Sequence, residues 1–207
     1  MSLSLINIAK KYNRNWVFRN ACYQFEIPGS YVIHGPNGSG KSTLLKIISG
    51  FLTPTEGELK LQINSNYIAT ENWSNHIAYA APYYELIEEM YLEEFVSFYI
   101  KFKPLQKGIS QNDLIKIAYL DEAKDKQIKY FSSGMKQRLK LSLAWLSEVS
   151  IVLLDEPCSN LDTKGIEWYK NLAKGYSKNK LIIVCSNDKE DEFSFCKKSI
   201  DIDNLNK

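Results

Sequence analysis

The sequence predicts an α/β fold, in which a mainly parallel sheet is flanked by helices, an antiparallel β subdomain lies beside it and a helical subdomain is inserted into it. Three observations predict this. The runs "SYVIH" (30–34), "IVLL" (151–154) and "LIIVC" (181–185) are short, continuous and rich in β-branched residues, as strands covered on both faces require. Helical periodicity fills the intervals between strands, so strand, helix and strand alternate. The stretch 85–130, by contrast, carries helical patterns with no strand between them.

Taken in chain order, "LSLINI" (3–8) and "ACYQFEI" (21–27) are the first apolar runs. "KSTLLKIISG" opens a helix directly after the strand at 30–34 and stops at Gly50, which suits a C′ glycine. "TPTEGELKLQINSNYIA" and "HIAYAA" read as antiparallel strands beside the core. "YLEEFVSFYIKF" and "SQNDLIKIAYL" read as helices, divided by Pro104 and Gly108. In "SSGMKQRLKLSLAWLSE", Met135, Leu139, Leu143 and Leu146 recur at steps of three and four, forming one apolar stripe with Lys136, Gln137 and Lys140 on other faces. "TKGIEWYKNLAKGYSKN" joins the strand at 151 to that at 181. We expect one domain over 1–207, with the helical subdomain at about 85–147.

Composition narrows the classes of function. The 207 residues carry 26 basic and 24 acidic side chains, a net charge of +2, so no extended nucleic-acid track is expected. Only Arg14, Arg19 and Arg138 are arginine, which weakens bidentate phosphate or base recognition further. The four cysteines, Cys22, Cys158, Cys185 and Cys196, form no C-x-x-C pair, which argues for a reducing, cytoplasmic setting without disulfide or zinc. No apolar run approaches ~18 residues, and the N-terminus lacks a secretory pattern.

Chemistry concentrates in "HGPNGSGKST". The run Gly35-Pro36-Asn37-Gly38-Ser39-Gly40-Lys41-Ser42 has the form G-x-x-x-x-G-K-S, following a predicted strand and opening a predicted helix, which identifies a P-loop NTPase core. Glycines at 35, 38 and 40 allow left-handed backbone angles, so several N–H groups and a helix N-terminus converge on one phosphate. Lys41 supplies a point charge to the β- and γ-phosphates, and the Ser42 hydroxyl ligates Mg²⁺. "IVLLDEP" adds Asp155 at the carboxyl edge of the sheet, where it holds Mg²⁺ through water, and Glu156, placed as a general base toward an attacking water. Such an acidic pair standing alone reads as a helix N-cap; beside a P-loop it reads as a site.

The order P-loop, Ser-Gly segment opening a helix ("FSSGMKQRLKLSLAWL"), strand with Asp-Glu-Pro, then "SNLD" resembles the nucleotide-binding domain of ABC transporters over essentially the whole chain. The resemblance implies ATP and Mg²⁺ as ligands and a homodimer that sandwiches two nucleotides. Ser132-Ser133-Gly134-Met135 looks like a variant of the family's Ser-Gly-Gly-Gln signature, so Ser132 and Gly134 would cap the γ-phosphate held by the opposite chain; a simple N-cap is the alternative. Tyr12 matches the aromatic that stacks on adenine, with Trp16 a second candidate. Thr43 matches the residue supporting the α-phosphate, and Asp162 the loop that communicates across the dimer.

Two positions depart from the family pattern. By ungapped reading Pro82 falls where a glutamine helps bind Mg²⁺ and water, and proline offers no side-chain ligand. Glu85 or Glu88 could substitute, or form a solvated acidic face. The second departure is Ser186-Asn187-Asp188, where the family has Ser-His-Asp. An amide can hydrogen-bond a phosphate oxygen but cannot become cationic near neutral pH, so Asn187 is expected to sense the γ-phosphate while supporting slow hydrolysis. The only histidines, His34 and His76, are expected to be structural.

The function implied by the resemblance is the ATPase subunit of a transporter, of export type by its length, peripheral on the inner face of the membrane through separate integral-membrane subunits. "YYELIEEMYLEEF" is the expected docking segment, within residues 82–103. The alternatives are a soluble ABC-type ATPase outside transport and a slow-hydrolysing, ATP-dependent dimerisation switch. No nucleic-acid partner is expected.

Overall fold

A computed structural model of the chain describes residues 1–187 and 189–205. Nine strands form two sheets. The first is antiparallel in the order β2-β1-β4-β5, built from β1 (Ser2–Tyr12), β2 (Asn15–Glu26), β4 (Glu56–Ile63) and β5 (Asn66–Ile68). The second is parallel in the order β6-β7-β8-β3-β9, built from β3 (Gly29–His34), β6 (Ile77–Ala80), β7 (Ile151–Asp155), β8 (Leu181–Cys185) and β9 (Lys198–Asp201).

Side-chain alternation along the parallel strands divides the interior into two layers. Ile151, Leu153, Leu181, Ile183 and Cys185 face one core, shared with α1 (Lys41–Ile48) and the antiparallel sheet. Val152, Leu154, Ile182 and Val184 face the other, shared with α4 (Ser133–Leu146) and α5 (Thr163–Tyr176). Every residue of β7 and β8 is buried, the both-faces burial that their continuous apolar runs predict. Each such Leu, Ile or Val contributes about 1.5–3 kcal/mol of transfer free energy.

Between β6 and β7 lie α2 (Leu92–Phe102), α3 (Gln111–Ile117) and α4. A short helix α6 (Glu190–Phe193) follows β8. Gly50 ends α1 with φ +82, its N–H bonded to Ile47 O at 3.1 Å, as a C′ glycine does. No helix among the described residues is long and apolar enough to cross a membrane.

Two expectations require correction. "HIAYAA" is not an antiparallel strand: β6 runs parallel to β7, with Ile77 level with Ile151 and Ala80 level with Leu154. Its partner β7 lies far later in the chain, after the helical segment, where sequence proximity gives no clue. The alanines of β6 also give no β-branched signature of a buried strand. In α4, Gln137 and Lys140 are not surface residues; both are buried, because α4 packs against α3, α5, β6 and β7 at once. Polarity hid this, since both side chains find backbone carbonyls inside.

Candidate nucleotide site

Three adjacent strands bring the site together. Ile33 of β3 pairs with Cys185 of β8, and Cys185 pairs with Asp155 of β7, so one row of the sheet holds all three. The next residues along each strand therefore emerge at one carboxyl edge: His34 and the glycine loop, Ser186 and Asn187, and Glu156. This is the edge where open parallel sheets bind ligands. Backbone bonds continue the row, from Ser186 N to Ile33 O (3.3 Å) and from Glu156 N to Cys185 O (2.9 Å).

The loop 35–40 passes directly into α1. Gly40, at φ +99, lies so close to β2 that a Cβ there would meet Val17 Cγ1 at 2.6 Å; Gly38, at φ +82, faces open space. A side chain at 40 is thus excluded by both conformation and packing. No side chain caps the N-terminus of α1 and no acidic residue occupies its first turn, which leaves its N–H groups directed at the loop. Lys41 is buried, and its ammonium donates to Gly35 O (2.6 Å) and Pro36 O (3.0 Å) of that same loop. The Ser39 hydroxyl is buried without a partner among the described residues.

These features fit a phosphate chain. Donors exceed acceptors around one concavity, and the lysine rests on loop carbonyls that it can leave. Magnesium also fits. Asp155 is buried beside the Ser42 hydroxyl; burial pushes its carboxyl pKa up, while the Ser42 hydrogen bond and the Lys41 ammonium pull it down. No group of three His, Cys, Asp or Glu gathers among the described residues. One carboxylate with one hydroxyl is what a hard cation needs when phosphate and water complete its shell.

Glu156 follows on a left-handed backbone, φ +42, which costs a non-glycine residue about 1–2 kcal/mol. Its carboxylate is held on both sides: Asn187 Nδ2 donates to Oε1, and Ser159 Oγ donates to Oε2 at 3.3 Å. The Asn187 Oδ1 is buried and has no partner among the described residues. Beneath it the buried Ser186 hydroxyl donates to Glu192 Oε2 at 2.5 Å and fixes the turn. Asp188, expected to complete this trio, lies outside the described residues.

The remaining expected residues fall in two groups. Ser132 and Ser133 are exposed at the start of α4, with Ser132 Oγ accepting from Met135 N at 3.2 Å, so the N-cap geometry is present. Gly134 abuts the "SNLD" segment, where a Cβ would stand 3.1 Å from Asn160 O. Asp162 caps α5 through Gly165 N at 2.8 Å. Thr43 is half-buried in the first turn of α1. Tyr12 and Trp16 flank the β1–β2 turn: Tyr12 is exposed, and Trp16 is half-buried with Lys11 Nζ 5.0 Å and Arg19 Cζ 4.4 Å from its ring centre. Of the histidines, His34 stands at the end of β3 just before the loop and packs edge-on against Phe193, ring centres 4.8 Å apart. Glu88 pairs with Lys136 of α4, while Glu85 borders an apolar cavity.

Four contributors escaped the sequence reading. Tyr79 lies beside Asp155, its phenol pKa pushed well up by burial and then by that carboxylate. Ser159 steadies Glu156, Val17 packs on Gly40, and Lys140 donates to Pro82 O at 2.8 Å. Only Ser159 stands in a motif, as the first residue of "SNLD". Each is brought in by an element that sequence distance separates from the loop it serves, except Ser159, whose signal was its place three residues after Glu156.

Residues 20–159 match the ABC transporter family. An uncharacterised ABC transporter ATP-binding protein of Bacillus subtilis, YybJ, is 32% identical over 94% of this chain and 89% of its own length. The cytochrome c biogenesis ATP-binding export protein of Xylella fastidiosa is also 32% identical, over 76% of this chain and 74% of its own. The dimeric structure of a bacterial ABC transporter cassette superposes with a TM-score of 0.80 at 23% identity, covering 97% of this chain and 94% of that one, which supports the fold. With the glycine loop, Asp155 and Glu156 gathered on one sheet edge, this chain belongs to the ATP-binding proteins of the ABC transporter family.

Proposed function

We propose that this chain binds Mg·ATP at the N-terminus of α1, hydrolyses it within a dimer of two copies, and powers export through separate membrane subunits at the inner membrane face. The observation that supports this most is the single row Ile33, Cys185 and Asp155, which brings the phosphate loop, Asn187 and Glu156 to one edge. When bound, Mg·ATP supplies the electrophilic γ-phosphoryl group and the cation that offsets its charge.

The chain's own residues do the rest. Lys41 leaves the carbonyls of Gly35 and Pro36 for phosphate oxygens, and the loop and α1 N–H groups hold the remaining charge. Ser42 and Asp155 orient the cation. Glu156 accepts a proton from the attacking water, and Asn187 and Ser159 aim its carboxylate for that task. Asn187 also offers an amide N–H to the γ-phosphate, without positive charge. Thr43 supports the α-phosphate, and Tyr12 or Trp16 covers the base. The exposed Ser132 and the half-buried Gly134 at the start of α4 suit the γ-phosphate of a second copy, and Asp162 would lie on the loop that faces that copy. The Xylella relative's name supports the export direction.

The test is Glu156→Gln. It should trap ATP-bound dimers in size-exclusion chromatography and abolish phosphate release, whereas the wild-type chain turns over and returns to monomer. The second reading, an ATP-dependent switch, is favoured by Pro82 and Asn187; wild-type chain that accumulates the same dimers as Glu156→Gln would establish that reading instead.

A further inference from the structure

The helical segment between β6 and β7 grips β6 at both ends with lysines, one half-buried and one buried. Lys103, just after α2, donates to Ile77 O at the start of the strand (2.6 Å). Lys140, in the middle of α4, donates to Ala81 O (2.9 Å) and Pro82 O (2.8 Å) just past its end. Lys140 is buried, and its charge meets carbonyl oxygens rather than a carboxylate among the described residues. Burying an ammonium is costly, so a structural role alone would be served as well by an apolar side chain.

Its location suggests what the charge is for. Ala80 is level with Leu154, so Ala81 stands beside Asp155 at the cation edge. Lys140 lies two turns along α4 from Ser132, about 12 Å of helix rise. One side chain thus connects the strand end nearest Asp155 with the helix that opens at Ser132. Pro82 has no side-chain donor or acceptor of its own, and its carbonyl is what Lys140 holds.

We infer that Lys140 is a positioning residue that locks the Ala81–Pro82 segment to α4, so that rearrangement at the cation edge and movement of the helix opening at Ser132 occur together. This rests on the ATPase reading above. The lock replaces a side-chain contact from position 82 with a backbone contact made from the opposite element. It also borders the apolar cavity of about 460 Å³ lined by Phe51, Tyr84, Phe98 and Phe102, so a partner seated there would press on both elements at once.

The test compares full-length wild type, Lys140→Met and Lys140→Arg. Lys140→Met should keep Mg·ATP affinity within about threefold while kcat falls about tenfold or more, and Lys140→Arg, which keeps charge and donors, should recover part of that rate. Burial lowers the Lys140 pKa to about 8, with Lys136 one turn earlier adding to the shift. The other charged and titratable groups around it are Glu85, Tyr84, Tyr79, Tyr99 and Lys103. Wild-type kcat should therefore drop between pH 7 and pH 9, and Lys140→Met should lose that dependence. Hydrogen exchange without nucleotide gives a readout independent of ATP: Lys140→Met should speed exchange over residues 81–85 and leave β7 unchanged. A Lys140→Met chain with wild-type kcat and wild-type exchange at 81–85 overturns the inference, as does equal loss of affinity and turnover. A wild-type chain that binds no Mg·ATP would instead sink the ATPase reading, while the exchange comparison still judges the Lys140 link.

Discussion

At the scale of single residues, the proposed function makes the hydrogen-bonded pair Glu156 and Asn187 the place where the rate would be set. Asn187 aims the carboxylate through a neutral amide, so it orients without adding charge. Asn187→His should raise turnover several-fold at neutral pH, because an imidazole can share or gain a proton beside the γ-phosphate; steady-state ATPase assays check this, and an unchanged rate refutes it. Asp155 offers a second measurement. Its pKa is raised by burial, so folding favours the protonated form; that contribution is full below the unfolded value near 3.9 and is lost as pH rises from there through the higher folded value. At neutral pH the buried charge is a net cost, and Asp155→Asn should raise the Tm of the nucleotide-free chain by about 2–4 °C, equivalent to ~1 kcal/mol, while removing stabilisation by Mg·ATP. At this scale the glycine spacing, Lys41 and the acidic pair stood out in the sequence because phosphate and cation chemistry calls for those residue types at that spacing. The Asn187 contact to Glu156 was not, because two side chains 31 positions apart share no pattern that links them.

Among the elements, α4 was the hardest to read. Its apolar stripe was visible, but a helix packed on several sides buries polar residues too, and whether Gln137 and Lys140 find carbonyls is a tertiary matter. β6 was misread for the related reason that pairing is set by where the chain returns. The parallel character of β3, β7 and β8 was legible, since continuous β-branched runs have few other uses. The C-terminus of α4 carries its own experiment. Lys180, buried, donates to Trp145 O (2.7 Å) and Ser147 O (3.1 Å), the carbonyls that helix bonding leaves free. Burial lowers its pKa to about 8, against ~10.4 unfolded. The penalty for burying its charge is full below pH 8 and fades toward pH 10, because there the unfolded chain binds more protons. Urea unfolding at pH 7.5 and pH 9.5 should therefore show wild type gaining stability relative to Lys180→Met as pH rises, by about 2 kcal/mol.

For the molecule as a whole, the antiparallel sheet and β2 shape the loop from one side, while the helices between β6 and β7 present an apolar face away from it. Phe98 and Phe102 pack edge-on with ring centres 5.0 Å apart, and Phe102 is 68% exposed beside the cavity. On the proposed function, a membrane partner seated there would cover that face. Phe98→Glu with Phe102→Glu should abolish co-purification with the membrane subunits yet leave Mg·ATP binding by the isolated chain intact. The row through Ile33, Cys185 and Asp155 has one further consequence, for the order of events during synthesis. β8 is made after both β3 and β7 but lies between them. Until residue 185 has been made, the strands that lead into the glycine loop and the acidic pair have no shared neighbour in the sheet. A ribosome-bound chain ending before Leu181 holds every residue of the phosphate loop and of the Asp-Glu pair, but not the strand that joins β3 and β7 into one sheet.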